Sequence, residues 1–340
     1  MKKTSVVILN WNGAKLLMQF LPSVLTHTQT DDCEVIVADN NSSDNSVEVL
    51  KQQFPQVKLI LLDKNYGFAE GYNRALKQVD SKYVVLLNSD VETSPNWLNT
   101  MIEHLEKHPE TAALQTKILS FTNKSMFEYA GAAGGFIDRY GYPFCRGRIL
   151  HHLEKDRGQY DSPIEIFWAT GACLCMRRVD YIEAGGLDSY FFAHMEEIDL
   201  CWRLIASGKK IFCLPQSVVY HVGGASLHSE SPRKTHLNFR NNLLMIYKNA
   251  PQLKLIEVLL VRMILDVAAA AHFAVQGKWK HAKAVATAYS DFIKMRPLFK
   301  QKRKINLQKT IQKNIPQLYK GSMLFDFYFR RRKKYSEIKN

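Results

Sequence analysis

The chain has 340 residues, 46% of them hydrophobic, enough for a large domain with a real core and too many for a wholly disordered chain. Its formal charge of +14 is local: residues 276–340 carry 18 Lys and Arg against 3 Asp and Glu, while the first 275 residues carry 28 against 29. That distribution excludes a uniformly basic nucleic-acid binder and describes a near-neutral body with a cationic tail.

The six cysteines form no CxxC pair and match no His spacing, which argues against a structural zinc site and for reduced thiols in a cytosolic protein. "MKKTSVVILNWNG" passes from two lysines into a short apolar run, Val6 to Leu9, and then polar residues, so no signal peptide is expected. Residues 253–275 are the most apolar stretch, but they contain Lys254, Glu257, Arg262, Asp266 and His272. Each central charge would cost roughly 2 to 3 kcal/mol in a bilayer, so an amphipathic or packed helix is expected rather than a spanning one.

Four short Val/Ile/Leu runs open the chain: "SVVILN" (5–10), "CEVIVADN" (33–40), "VKLILLD" (57–63) and "YVVLLNSD" (83–90). Apolarity without alternation marks strands buried on both faces of a parallel sheet. The segments between them, "AKLLMQFLPSVLTH", "NSVEVLKQQF" and "AEGYNRALKQV", have the length of crossover helices, with Asp44 or Asn45 capping the second. Beyond residue 110, "AALQTKIL", "IFWATGACLCMRR" and "KIFCLPQSVVYHV" read as strands, the last with a Pro bend, and "MEEIDLCWRLIASG" as a helix ending at Gly208. Loops carrying Gly131 to Gly141 are expected to cover a site, and the chain from about residue 230 is expected to be helical and basic.

Polar residues follow all four early strands: Asn10 and Asn12, Asp39 to Asp44, Asn65, and Asn88 to Asp90. In an open parallel sheet these ends share one edge, where ligands bind. Asp39 offers an acceptor for a pyrimidine imide N–H and Trp11 a stacking face. Asp90, with Asn88 and Ser89 beside it, suits a hard divalent cation that also bridges phosphates. Neither GxGxxG nor GxxxxGK[ST] follows the first strand, which argues against a dinucleotide-binding dehydrogenase or a P-loop enzyme.

"FFAHMEEIDLCWRL" resolves by helical spacing. Ile198, Cys201, Trp202 and Ile205 form a buried stripe, and Asp199 pairs with Arg203 at i, i+4. Glu196 and Glu197 fall in the first turn, where the helix dipole is expected to keep them ionised and leave one free as a base. Tyr190, Phe191 and Phe192 are expected to form an apolar wall on the acceptor side. His221 ends a strand before Gly223 and Gly224, as a structural residue, a metal ligand or a phosphate donor.

Taken in order, "VVILNWNG", "VADNNSSDNS", "NYGFAEGYNRAL", "LLNSDVE", "WATGACLCMRR", "GGLDSYFFAHMEEIDLCWRL", "YHVGGAS" and "FRNNLLMIYK" resemble the family 2 glycosyltransferases, in particular their bacterial rhamnosyltransferase-like branch, over residues 4–250. The resemblance implies a GT-A fold: a mixed, mostly parallel sheet flanked by helices. The domain would span residues 1–250, as a nucleotide-binding half (1–110) and an acceptor-binding half (111–250). A helical basic region, 251–340, would associate with a membrane. It also implies a UDP- or dTDP-sugar donor, rhamnose among the sugars, a Mg²⁺ or Mn²⁺ ion, and inversion at the anomeric carbon.

Carried onto this chain, the resemblance assigns the donor nucleotide to Leu9 (through its backbone), Trp11, Asp39, Asn65, Gly67, Asn73 and Ser89. It places the metal on Asp90 and His221, the diphosphate near Arg240, and the base on Glu197 with Glu196 beside it. Two positions depart from the family: Asn88 stands for the first acid of its DxD, and Glu197 for an Asp base.

The function expected is therefore transfer of a sugar to a hydroxyl of a cell-surface glycan or lipid-linked acceptor, by a cytoplasmic enzyme on the inner face of the plasma membrane. The alternative is a non-catalytic nucleotide-sugar-binding scaffold on the same fold, motivated by the two departures. A nucleotidyltransferase would want a Gly-rich basic loop that "NWNGAK" does not supply.

Overall fold

The computed structural model describes residues 2–28, 32–223 and 231–338. The first half alternates strand and helix: β1 (Thr4–Asn10), α1 (Ala14–His27), β2 (Cys33–Asp39), α2 (Ser46–Gln53), β3 (Lys58–Leu61), α3 (Gly67–Leu76) and β4 (Tyr83–Leu87). All four strands are parallel, in spatial order β3-β2-β1-β4. Successive residues of β1 enter opposite cores, Val6 and Ile8 with α1 and α2, Val7 with α3, so the strand needs apolar residues throughout. Because β2 and β3 lie on one side of β1 and β4 on the other, a crevice opens beyond the carboxyl ends of β1 and β4.

The second half adds β5 (Val91–Thr93), α4 (Trp97–Lys107), β6 (Thr111–Ser120), β7 (Gly135–Asp138), β8 (Pro143–Cys145), β9 (Arg148–Ile149), β10 (His152–Leu153), β11 (Ile164–Glu165), β12 (Cys173–Arg177), α5 (Arg178–Glu183), α6 (Glu196–Ala206) and β13 (Lys210–His221). β12 runs antiparallel between β4 and β6, and β13 lies parallel to β6 with a register shift between Leu214 and Val218, at the expected Pro bend. Only Cys173–Arg177 of the expected strand "IFWATGACLCMRR" is a strand; Gly171 and Ala172 turn the chain, closed by Cys173 N–H to the Thr170 carbonyl. The segment Gly131 to Gly141 is also not simply loop. Its β7 enters a second sheet, in order β10-β9-β8-β7-β14, with β14 (Leu318–Tyr319) arriving from the far end of the chain.

The C-terminal region comprises α7 (Pro232–Asn249), α8 (Gln252–Val275), α9 (Trp279–Lys309), β14 and α10 (Met323–Tyr328). It shares the main core: Phe299 of α9 stacks on Phe191, and Tyr335 packs against Phe136, Phe144 and Tyr160. All six cysteines are free, and burial pushes the thiols of Cys33, Cys173, Cys201 and Cys213 up to about 12.

Candidate functional site

The tips of β1 and β2 are laced together. Asp39 accepts Asn10 Nδ2 (3.0 Å) and Ser42 Oγ (2.6 Å) on Oδ1, and the Ser42 amide (2.9 Å) on Oδ2. A carboxylate has about four acceptor positions, so one, on Oδ2, is left for a ligand. Asn12, in the left-handed region at φ 52°, binds Ser42 and Ser43, and Asp44 accepts the Ala14 amide and the Ser46 amide, serving the starts of α1 and α2 together. Trp11 projects from this framework, 53% exposed. Gly13 is required by closeness: a Cβ there would meet Asn10 Oδ1 at 2.4 Å. The Leu9 amide donates to Tyr72 Oη (3.4 Å), and no hydrogen bond engages Ser89 among the described residues.

The next loop, Asn65 to Phe68, is pinned by a residue that sequence reasoning passed over. Asn40, buried at the end of β2, donates to Asn65 Oδ1 and the Gly67 carbonyl (both 3.1 Å) and accepts the Tyr66 amide (2.9 Å). Gly67 has φ +72°, and a Cβ there would strike the Phe192 ring at 2.5 Å. Asn73 faces away from the crevice: its amide exchanges bonds with the Leu187 backbone (2.8 and 3.0 Å) and accepts Tyr181 Oη, tying α3 to the turn before α6.

Pairing of β5 with β13 sets His221 opposite Val91 and brings its ring to Asp90, with Nε2 3.1 Å from Oδ1. On its other side, Nδ1 lies 3.2 Å from Glu128 Oε2, and all three residues are buried. Burial alone would lower the imidazole pKa, but contacts with Asp90 and Glu128 outweigh it and raise it to about 10. Asn88 Nδ2 is 3.3 Å from Nε2. Among the described residues no cluster of three His, Cys, Asp or Glu could hold an ion unaided. Two ligands still suffice where substrate phosphates complete the shell, and neighbouring ligands of an octahedral ion with bonds of about 2.1 Å stand about 3 Å apart. The Asp90–His221 spacing meets that condition once an arriving ion displaces the Nε2 proton, and Glu128 on the second ring nitrogen would orient the imidazole. Gly223 follows at φ +76°; Gly224 lies outside the described residues.

The first turn of α6 carries the carboxylates. Its stripe Ile198, Cys201, Trp202 and Ile205 is buried as expected, and Asp199 binds Arg203 (2.9 Å). The dipole argument fails for Glu196 and Glu197. Burial and the Glu197 charge hold Glu196 well above the carboxylate range, and burial raises Glu197 to about 7. Oε2 of each is buried without a hydrogen-bond partner, although Glu197 as a whole keeps some exposure. Desolvation over the whole group outweighs a terminal dipole that acts only across one turn. Nearby, burial and the charge of Lys234 lower His194 to about 4, and its Nε2 also lacks a partner.

The loop delivering this turn is bent at three non-glycine residues with positive φ: Phe192 (64°), His194 (72°) and Met195 (72°). α7 holds it in place. Asn241 Nδ2 donates to the carbonyls of Phe191, Ala193 and His194 (2.8–2.9 Å), and Arg240 Nη2 to those of Tyr190 and Phe191 (3.2 and 3.4 Å). Arg240 Nε and Nη2 also donate to Asn241 Oδ1 (2.9 and 2.8 Å), which leaves Nη1 without a bond among the described residues. The Phe192 carbonyl accepts the Phe68 and Ala69 amides, joining the loop before α6 to the loop before α3. Of the expected wall, Phe191 is core; Phe192 is the aromatic set against Gly67. The "FRNN" motif held the signal for Asn241, and Asn40 lay in the polar run after β2 without a role of its own; nothing local marked Glu128. A 430 Å³ cavity lies behind α6 between α5 and α9, lined by Asp180, Arg203 and Lys309, and touches none of these groups.

Comparison with known proteins fits this geometry. Residues 5–181 match the family described as Glycosyl transferase family 2. The chain is 27% identical over 238 residues to the O-antigen biosynthesis protein RfbC of Myxococcus xanthus, an alignment spanning 67% of this chain but only 18% of that protein. It is 25% identical over 232 residues to the N-acetylglucosaminyl-diphospho-decaprenol L-rhamnosyltransferase of Mycobacterium tuberculosis, covering 64% of this chain and 75% of the relative. In fold, the chain is similar to S. aureus TarS 1-349 solved with UDP-GlcNAc: TM-score 0.57, 17% identity, 91% of this chain and 89% of that one. The fold is the GT-A fold.

Proposed function

The chain belongs to glycosyl transferase family 2, in its rhamnosyltransferase-like branch, and from that premise we propose that it transfers a sugar from a UDP- or dTDP-sugar, rhamnose first among the candidates, to a hydroxyl of a lipid-linked glycan, with inversion. The acceptor would be met at the cytoplasmic face of the plasma membrane. The observation that carries the reading is the placement of Glu197, a carboxylate held near pKa 7 with an unpartnered buried oxygen, on a loop bonded directly to the nucleotide-side loop.

Trp11 stacks on the base, and the remaining acceptor position on Asp39 Oδ2 takes the imide N–H that a pyrimidine presents and guanine does not present in the same place. Asn40 and Gly67 keep the loop after β3 close enough for its backbone to reach the nucleotide. Asp90 and His221 would hold Mg²⁺ or Mn²⁺, with Glu128 fixing the ring. When bound, the ion supplies Lewis-acid neutralisation of the leaving diphosphate. Arg240 Nη1 is available to the same charge. Glu197 takes the proton from the acceptor hydroxyl as it attacks the sugar from the face opposite the diphosphate; a base near pKa 7 is matched to neutral pH. Glu196, more strongly held protonated, can donate a hydrogen bond to the acceptor. Phe192 excludes water from that side.

The test is a donor panel of UDP-, dTDP- and GDP-sugars with Mg²⁺ and Mn²⁺ and a polyprenyl-diphosphate-linked acceptor. Transfer from a pyrimidine nucleotide sugar that falls at least ~10-fold in Asp39→Ala is the expected result. Binding of donors without turnover under every condition would establish the scaffold reading instead, and a preference for GDP would overturn the role of Asp39.

A further inference from the structure

Leu255–Val275 is long and apolar enough to cross a bilayer, with mean hydropathy 2.0. The structure turns its two central charges inward. Arg262 donates to Asn242 Oδ1, to the Tyr140 carbonyl (3.1 Å) and to Asp266 (3.1 Å), with its guanidinium 4.0 Å over the Tyr142 ring. Asp266 accepts Tyr142 Oη and Tyr289 Oη, each at 2.8 Å. Withdrawing the helix to span a membrane would strip the bonds to Asn242, Tyr140, Tyr142 and Tyr289 and leave only the Arg262–Asp266 pair within the helix.

Outward, α8 presents a stripe at helical spacing. Ile256 is 72% exposed and Ile264 67%, with Leu260 and Val267 between and beyond them, and the stripe runs on to Val275 and to Trp279 at the α8–α9 turn. Contiguous apolar surface of this kind marks an interaction site. Its charge names the partner. Between Val258 and Ser290 the only acid is the buried Asp266, and Glu257 at the upper end is paired with Arg139 (2.6 Å). Trp279 is followed by exposed Lys280 and Lys283. An apolar helical face closed by Trp among lysines, whose one exposed acid, Glu257, is paired with Arg139 at its far end, is complementary to an anionic lipid surface.

We propose that α8 lies in the plane of an anionic bilayer, Ile256 to Val275 embedded at the headgroup–acyl boundary and Trp279, Lys280 and Lys283 at the headgroups. The inference deepens the transferase reading only in saying where a lipid-linked acceptor arrives. From the docked face, Arg262 reaches Asn242, whose Nδ2 contacts Met195 Sδ (3.8 Å), the residue just before Glu196. The docked face is thereby joined, through two buried side chains, to the residue that precedes the first turn of α6.

The experiment is flotation of the full chain with phosphatidylglycerol/phosphatidylethanolamine vesicles and with phosphatidylcholine vesicles, without donor or acceptor, so that lipid binding and transfer fail separately. Wild type should float with the anionic vesicles. Leu260→Glu/Ile264→Glu, at exposed positions that do not build the core, should lose partitioning on the order of 100-fold. Lys280→Glu/Lys283→Glu should lose the preference for anionic vesicles. Vesicle binding unchanged in the first variant overturns the proposal. So does a wild type that ignores vesicles but is dimeric until Leu260 and Ile264 are changed, since a second copy would then cover the face.

Discussion

Glu197→Gln separates chemistry from architecture because it keeps the shape of the side chain and removes its charge. Burial lifts the Glu197 carboxyl from 4.5 to about 7. In the unfolded chain the group ionises near 4.5, so in the folded protein ionisation is opposed: a protonated Glu197 costs nothing, and the penalty builds as pH rises from about 4.5 to about 7. At 1.36 kcal/mol per pK unit it reaches about 3 kcal/mol at pH 8, shared in part with Glu196. Glu197→Gln should match wild type in stability near pH 4 and exceed it by up to about 3 kcal/mol at pH 8, while transfer falls ~10²–10⁴-fold. Wild-type kcat/KM should rise along an acid limb centred near pH 7, with about 10% of the base ionised at pH 6 and about 90% at pH 8. Urea titrations at three pH values and a pH–rate profile check both halves. A variant that keeps wild-type turnover, or a stability difference that does not grow with pH, would refute the reasoning.

Glu128→Gln keeps a donor-acceptor group beside Ala130 but removes the carboxylate facing His221; Mn²⁺ affinity, read by electron paramagnetic resonance on the unliganded protein, should fall ~10-fold or more with the fold intact. Lys248→Met leaves Asp188 and Asp199 short of a partner at 2.7 and 2.8 Å, although Lys302 and Arg203 remain; a loss of about 3 kcal/mol is expected in denaturant titrations. Asp188 is lowered to about 2, its burial outweighed by the charges of Lys248 and Lys302, so its stabilisation is present above about pH 4 and lost as pH falls toward 2. The gap between wild type and Lys248→Met should close over that window. Gly67→Ala places a Cβ 2.5 Å from the Phe192 ring in a left-handed conformation; at least ~1–2 kcal/mol of stability and a several-fold loss of donor affinity are expected, by urea titration and calorimetry.

What the sequence made legible follows from period and from chain ends. The uninterrupted apolarity of "SVVILN" and "YVVLLN" located strands buried on both faces, the polar residue after each located the crevice, and the 3.6 period placed the start of α6 within one residue. The strands Arg148–Ile149 and His152–Leu153 are two residues long and carry no period, and β7 is held partly by β14, some 180 residues later. Hence Gly131 to Gly141 read as loop. Glu128 was hidden for a related reason: its meaning comes from the ring of His221, brought beside it by β13. The ionisation of Glu196 and Glu197 was misread because a dipole can be inferred from position in a helix, whereas desolvation depends on what the tertiary fold stacks over it.

The turn that carries Glu196 and Glu197 is stabilised from outside the site. Three left-handed residues and two carboxylates with raised pKa concentrate unfavourable terms in residues 192–197, and such strain persists only where neighbours over-determine it. Those neighbours are largely C-terminal: Asn241 and Arg240 on the loop carbonyls, Lys248 and Lys302 on Asp188, Phe299 on Phe191. The cationic region 276–340 therefore has two faces with different work. Its exposed lysines and Trp279 look outward, while Phe299, Lys302 and Arg303 close the core behind the base. A Glu where the family has Asp needs its backbone set back by about one methylene, and in this chain the position of that backbone is governed by α7 and α9. Arg262 of α8 and Asn242 of α7 form a contact chain that ends on Met195, the residue that precedes α6.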